Sequence, residues 1–297
     1  MNQSEQFTAH LVAIATIGIW GTTFISTKIL LQSGLEPADI FIYRFVLAYV
    51  CTLIICHKKI FADTLKDEIR MFLLGLFGGS LYFLTENTAL VHAQASDVSI
   101  VVSICPILTS LLMGIFYKSE RMNLRQYIGL LIAFTGIILV ILNGRFILHF
   151  STIGYLLAFS AALTWALYSL IIKKITTRYS IWFINRKVFF YGIISIIPYY
   201  IYIHPLHFDT TLLTTPVVGL NILFLGLIAS MLCFVSWTWA MRKIGTVKAS
   251  VYMYLNPLFT ILTAWTILNE NITNMAIGGT IILLFGMFLA EKRQIQP

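Results

Sequence analysis

The chain alternates long apolar runs with short polar connectors. Ten runs approach the roughly 20 residues that an α-helix needs to cross a bilayer: 11–31, 39–56, 69–88, 95–117, 124–143, 153–173, 181–203, 217–241, 249–268 and 274–290. The stretch before the first, Met1 to His10, holds no Lys or Arg, and no small-residue cleavage pattern closes the run. It therefore reads as a retained helix and not as a secretory signal. The connectors leave no room for a separate soluble domain. The expected fold class is an all-α integral membrane protein with ten transmembrane helices.

The pattern is written twice. With a shift of 151, Ala89 falls on Ala240, Ser99 on Ser250, Pro106 on Pro257 and Thr109 on Thr260. One residue then slips, and at a shift of 150 Glu120 falls on Glu270, Gly129 on Gly279 and Gly136 on Gly286. Trp20 and Lys28 in the first run answer Trp165 and Lys173 in the sixth, and Phe41 to Arg44 answers Phe183 to Arg186. Each half thus holds five runs in the same order, with boundaries at 1–148 and 149–297. Five is odd, so the second half enters the membrane from the opposite side. Two inverted five-helix repeats place a pseudo-two-fold axis in the membrane plane and a pocket near mid-depth between the halves.

Composition agrees: 59% of the 297 residues are hydrophobic and 11% charged, against about 25% charged in a soluble domain. The net charge of +8 suggests nucleic acid until the charges are located. With both termini placed in the cytoplasm, the inner connectors hold Lys58, Lys59, Lys66, Arg70, Lys118, Arg121, Arg125, Lys173, Lys174, Arg178, Arg242, Lys243, Lys248, Lys292 and Arg293, and the outer ones only Arg145. The positive-inside rule accounts for that imbalance, and basic residues dispersed over short connectors face anionic headgroups, not nucleic acid. The expected location is the cytoplasmic (inner) membrane. Cys51, Cys56, Cys105 and Cys233 lie in apolar runs without metal-ligand spacing and read as buried thiols.

Trp20-Gly21 followed by Lys28 and Arg44, together with Ala89-Leu90, Ala93, Pro106 and Glu120 and their second copy at Ala240-Met241, Pro257, Leu268 and Glu270, resembles the EamA-type transporters of the drug/metabolite transporter superfamily. The resemblance covers essentially the whole chain. It implies a bundle with a central cavity lined mainly by spans 1, 3, 4, 6, 8 and 9, a small-molecule solute, and export of amino acids or related metabolites. Import or exchange of a sugar or nucleotide-linked solute is the alternative within the family. Two departures stand out: Met241 replaces the usual Leu, and Glu86 puts an acid in a third span that is commonly neutral.

Pro106 and Pro257 each remove a backbone donor in mid-span and free a carbonyl four residues earlier, at Val102 and Met253. Such kinks persist in a membrane where protein or a wet cavity satisfies the freed group. The candidate cavity residues are Trp20, Tyr82, Trp165, Tyr168, Trp237 and Tyr252, with the polar Ser99, Ser103 and Asn256. An aromatic pocket with a few polar groups suits an apolar or aromatic solute; interface belts and packing are the bland account of the same rings. Trp237 and Trp239 are two apart, so at most one faces inward.

Lys28, Arg44 and Glu86 fall near the outer ends of the first three spans. Glu86 has two readings: a salt bridge to either cation with snorkelling stems, or a titrating group that couples export to protons, with Lys28 free to bind a substrate carboxylate. Glu120 and Glu270, at helix ends on opposite sides, read as orienting or gating residues. Gly75, Gly79, Gly129, Gly136, Gly279 and Gly286 read as close-packing positions, and the fifth and tenth spans as a support or a dimer face, which leaves monomer and homodimer both open. An intramembrane enzyme would have to use Asp63, Asp67 and Glu68, or His204, His207 and Asp209; these carry no metal or acid–base motif and read as solvated loop residues. No phosphate-cradling loop, metal or cofactor site is expected.

Overall fold

The computed structural model describes residues 3–117, 123–142, 151–203, 210–269 and 273–291. Among them every regular element is helical. In hydrocarbon a backbone N–H has no water to bond, so each spanning segment must close its own hydrogen bonds, and the helix does that locally. The long helices are α1 (Gln3–Gln32), α2 (Pro37–Ile55), α3 (Leu65–His92), α4 (Ala95–Phe116), α5 (Leu124–Leu142), α6 (Thr152–Ile175), α7 (Ile181–Tyr202), α8 (Pro216–Ile244), α9 (residues 246–267) and α10 (Asn274–Glu291). A short helix, Thr210–Thr214, precedes α8. Seven of these, α1–α4 and α6–α8, are long and apolar enough by themselves to cross a bilayer.

The ends follow the local sequence. Pro37 and Pro216 sit in the first turns of α2 and α8, where the missing N–H costs nothing. Thr64, Ser151 and Ser180 cap α3, α6 and α7 by accepting from Asp67, Gly154 and Phe183 backbone N–H groups. Gly245, at φ +91°, makes the reversal between α8 and α9, a conformation that costs an L residue a steric clash.

Helix packing repeats between the halves. α1 packs on α8 and α9, and α6 packs on α3 and α4; α2 packs on α7 and α8, and α7 on α2 and α3. Exchanging the first five helices with the second five maps these contacts onto one another, with the pairs α2–α7, α4–α9 and α5–α10 mapping onto themselves. Because lipid tails are as apolar as leucine, such contacts depend on close approach rather than on hydrophobic burial. The predicted glycines supply it. A Cβ on Gly75 would meet the Gly192 backbone at 2.6 Å, and one on Gly136 would meet Leu283 N at 2.4 Å and Gly279 O at 2.6 Å. The glycine faces of α5 and α10 are thus turned on each other, and Leu131, Phe134, Ile281 and Phe285 point outward from the pair.

Hydropathy did not anticipate three features. Both third helices of the repeats contain a wide π-type stretch, Leu76–Ser80 in α3 and Phe224–Leu232 in α8. The prolines do more than kink. α4 breaks at Ser103-Ile104 and restarts at Cys105–Phe116 with Pro106 in its first turn, while α9 tightens to a 3₁₀ turn at Tyr252–Leu255 before Asn256–Ile267 restarts on Pro257. In that turn the Asn256 N–H donates to Met253 O, so the carbonyl expected to be freed by Pro257 is satisfied by the tighter winding. Finally, Lys66, Asp67, Glu68 and Arg70 belong to the first turns of α3 and not to a loop.

Gly136→Leu should destabilise the protein by about 1–3 kcal/mol through overpacking, read as a lower unfolding midpoint in detergent. Leu131→Val, on the outward face of the same helix, should leave the midpoint unchanged.

Candidate functional site

The helical period builds the site. Thr23 and Phe24 lie three and four residues after Trp20 on α1, and Glu86 lies four after Tyr82 on α3, so each group shares one face. Those faces meet α2, α6, α8 and α9 around a small cavity of about 20 Å³, room for roughly one water. Its walls include Trp20, Tyr82, Phe83, Trp165 and Phe234; Arg44, Glu86 and Asn256 bring the chemistry. All of these are buried.

At its centre the two repeat-matched tryptophans touch. Trp20 and Trp165 stand edge to face with centroids 5.2 Å apart. Trp165 continues onto Tyr82 at 4.9 Å and Tyr168 at 5.0 Å, and Trp20 onto Trp237 at 5.3 Å. The Trp20 indole N–H donates to Ala229 O at 2.9 Å, within the π-type stretch of α8. The Trp165 indole N–H and the Asn256 side-chain oxygen are buried with no hydrogen-bond partner among the described residues.

Three charged residues were expected near one another, and the structure separates their roles. Lys28 Nζ donates to Leu90 O and Ala93 O at the end of α3, which fits a cation at a helix C-terminus. Arg44 Nε donates to Ser230 Oγ at 2.8 Å, and the guanidinium carbon lies 4.1 Å above the Phe83 ring. Glu86 accepts from the Tyr82 hydroxyl at 2.8 Å. Among the described residues no salt bridge joins Glu86 to either cation, so the simple ion-pair reading of Glu86 is corrected.

Other candidates lie outside this cavity in the conformation described. Ser99 and Ser103 are buried, and their hydroxyls bond back to Ser96 O and Ser99 O of their own helix. Tyr168 and Trp237 form a second layer behind the tryptophan pair, and Trp239 is only partly buried. Tyr252 shares a 2.7 Å hydrogen bond with His10 on α1. Pro106 and Pro257 are buried at the helix breaks. Glu120 and Glu270 lie outside the described residues, as do His204, His207 and Asp209.

Residues that the sequence reading passed over are Thr23, Phe24, Phe83, Phe234 and Met253 on the cavity wall and Ser230 behind Arg44. Thr23 and Phe24 carried a signal, their spacing from Trp20; Phe234 carried none beyond its apolarity.

Asp67 is 2% exposed, which overturns the expectation of a solvated loop acid. It pairs with Arg70 at 2.6 Å and Arg178 at 3.1 Å and accepts from the Tyr179 hydroxyl at 3.0 Å. Neighbouring Glu68 accepts from Lys187 and Tyr191, and Arg186 donates to Cys56 O and Lys59 O. These contacts tie α3 to α7 and the end of α2. No cluster of metal-ligating side chains occurs among the described residues.

A two-repeat helical bundle with polar groups held in a central cavity is the architecture of a polytopic membrane transporter. The sequence profile of the EamA-like transporter family matches residues 7–142 and again 152–291, so the chain belongs to that family. An "Uncharacterized transporter" of Archaeoglobus fulgidus is 26% identical over 97% of this chain and 98% of its own length. A "Probable amino-acid metabolite efflux pump" of Salmonella typhimurium is 24% identical over 97% and 95%. A "Probable terminal-alkyne amino-acid exporter" of Streptantibioticus cattleyicolor is 24% identical over 95% and 93%. A solved crystal structure, 17% identical, superposes with a TM-score of 0.70 over 95% of this chain and 98% of its own, a likeness of fold.

Lys187→Met should leave the partly buried Glu68 carboxylate to the Tyr191 hydroxyl and the Ala62 N–H and cost about 1.5–3 kcal/mol, measured as detergent-unfolding stability. Trp20→Phe keeps a ring but leaves Ala229 O without its donor, a smaller loss of about 1 kcal/mol.

Proposed function

We propose that the protein is a secondary-active exporter of amino acids or related small metabolites, working by alternating access through the cavity between its two repeats. One observation carries this reading: the helices of both repeats converge on a small aromatic cavity that also holds a buried guanidinium, a buried carboxyl and an amide oxygen with no partner among the described residues. A cavity of about 20 Å³ admits no amino acid, so a solute has to enter by parting the tryptophan pair from one side and leave by parting it from the other. Relatives carrying the names of amino-acid and metabolite exporters support the solute class. The halves that rock are 1–148 and 149–297, and the excess of Lys and Arg in alternate connectors supports cytoplasmic termini in the cytoplasmic membrane. Glu86 is the proposed coupling site, since a buried carboxyl held by a tyrosine hydroxyl rather than a cation can take up and release a proton as the cavity opens to each side.

Proteoliposomes loaded with unlabelled amino acids should accumulate labelled amino acid by counterflow, and an imposed pH gradient should drive net movement. Glu86→Gln should retain counterflow and lose the gradient-driven component. Absence of counterflow for every amino acid would remove the solute class. A variant as gradient-dependent as the wild type would remove Glu86 from coupling.

A further inference from the structure

Six side chains of the Asp, Glu, Lys and Arg types are buried among the described residues: Asp39, Arg44, Asp67, Glu86, Arg186 and Lys187. Glu86 accepts from the Tyr82 hydroxyl, and four more are plainly matched within the protein. Asp39 accepts from the Tyr200 hydroxyl, Asp67 is bound by two arginines and a tyrosine, Arg186 donates to backbone carbonyls, and Lys187 pairs with Glu68. Arg44 is the exception. It is 1% exposed, yet its one hydrogen bond among the described residues runs from Nε to Ser230 Oγ, and no carboxylate lies within ion-pair distance. Its two terminal nitrogens are left for the cavity that it lines.

The repeat provides an internal control. Arg186 stands at the position of the second half that matches Arg44, and its terminal nitrogens are consumed by Cys56 O and Lys59 O at the end of α2. A purely structural arginine at this position would show the same kind of capping. Arg44 is instead oriented by Ser230 and backed by the Phe83 face, which fixes a planar fork and shields it from lipid. A fixed fork with both outer N–H edges open matches a carboxylate, which accepts two parallel hydrogen bonds from it.

Within the amino-acid reading above, on which this rests, we propose that Arg44 is the carboxylate-binding residue of the site and that the cavity selects zwitterionic α-amino acids with apolar or aromatic side chains. The opposite end of the zwitterion is provided for. Glu86 and the unpartnered side-chain oxygen of Asn256 line the same cavity, and both accept from an ammonium group. Trp20, Trp165 and Phe234 supply the apolar wall for the side chain. A solute lacking the carboxylate leaves Arg44 buried without an anionic partner, and one lacking the ammonium leaves the buried Asn256 side-chain oxygen without a donor. Discrimination therefore comes from the penalty for stranding a desolvated polar group, which exceeds what an extra contact supplies.

The full-length protein, purified in detergent, tests this by titration with L-phenylalanine, phenethylamine (no carboxylate) and 3-phenylpropionate (no ammonium), followed by tryptophan fluorescence. The wild type should bind phenylalanine at least tenfold more tightly than either analogue. Arg44→Gln and Arg44→Lys should each weaken phenylalanine binding at least tenfold, because Lys keeps the charge but not the fork, and Arg44→Gln, with no guanidinium left to strand, should bind phenethylamine at least as tightly as the wild type. Phenethylamine bound by the wild type as tightly as phenylalanine would overturn the assignment, and that comparison stands even where a variant fails to fold. Arg44→Gln that elutes like the wild type and binds phenylalanine within twofold would overturn it too. Counterflow separates the two levels: amino-acid exchange unaffected in Arg44→Gln removes only Arg44, whereas no exchange and no binding in the wild type removes the amino-acid reading together with it.

Discussion

Inside a bilayer no water competes for a backbone N–H, a guanidinium or a carboxyl, and each such group has to find its partner within the protein. That constraint organises this structure at every level. It makes the spanning segments helical, and it confines irregular backbone to the interior of the bundle, where the breaks at Ser103-Ile104 and Tyr252–Leu255 are covered by neighbouring helices. The widened stretch of α8 around Ala229 and Ser230 meets the same requirement: it accepts the Trp20 indole N–H through a carbonyl and the Arg44 Nε–H through a hydroxyl.

With hydrocarbon on the outside, apolar contact between helices gains little over contact with lipid, so the bundle is held by fit and by polar matches. The glycines of α5 and α10 let two backbones touch, and the Asp67, Glu68, Arg178, Lys187 and Tyr191 contacts pin α3 to α7 and to the loop before it. The two halves nevertheless differ at their matched arginines. Symmetry-matched arginines would be expected to do the same job, yet Arg186 caps carbonyls while Arg44 is aimed into the central cavity. The fold is duplicated; its chemistry is not.

Much of the architecture was legible in the sequence, because hydropathy and glycine spacing are read one residue at a time. The ten apolar runs lie on the ten long helices, and Trp20 and Trp165, paired by the repeat, do meet at 5.2 Å. What escaped depends on pairs of helices. The π-type stretches in α3 and α8 leave no trace in the hydropathy pattern, and no residue type announces them. The partner of Lys28 is a helix end, invisible to an argument that counted only side-chain charges. Ser99 and Ser103 read as polar cavity groups because a hydroxyl that bonds its own backbone looks the same in sequence as one that faces a solute. Asp67 looked solvated because two of its three partners, Arg178 and Tyr179, lie more than a hundred residues away.

The central claim is that the cavity beside Trp20 opens to each side of the membrane in turn. It is tested most directly with a single cysteine at Thr23, on the cavity wall, in a variant lacking Cys51, Cys56, Cys105 and Cys233. In oriented vesicles a membrane-impermeant maleimide applied from either face should label this cysteine, and saturating substrate should slow both reactions. Labelling from one face only, or from neither, would contradict alternating access through this site.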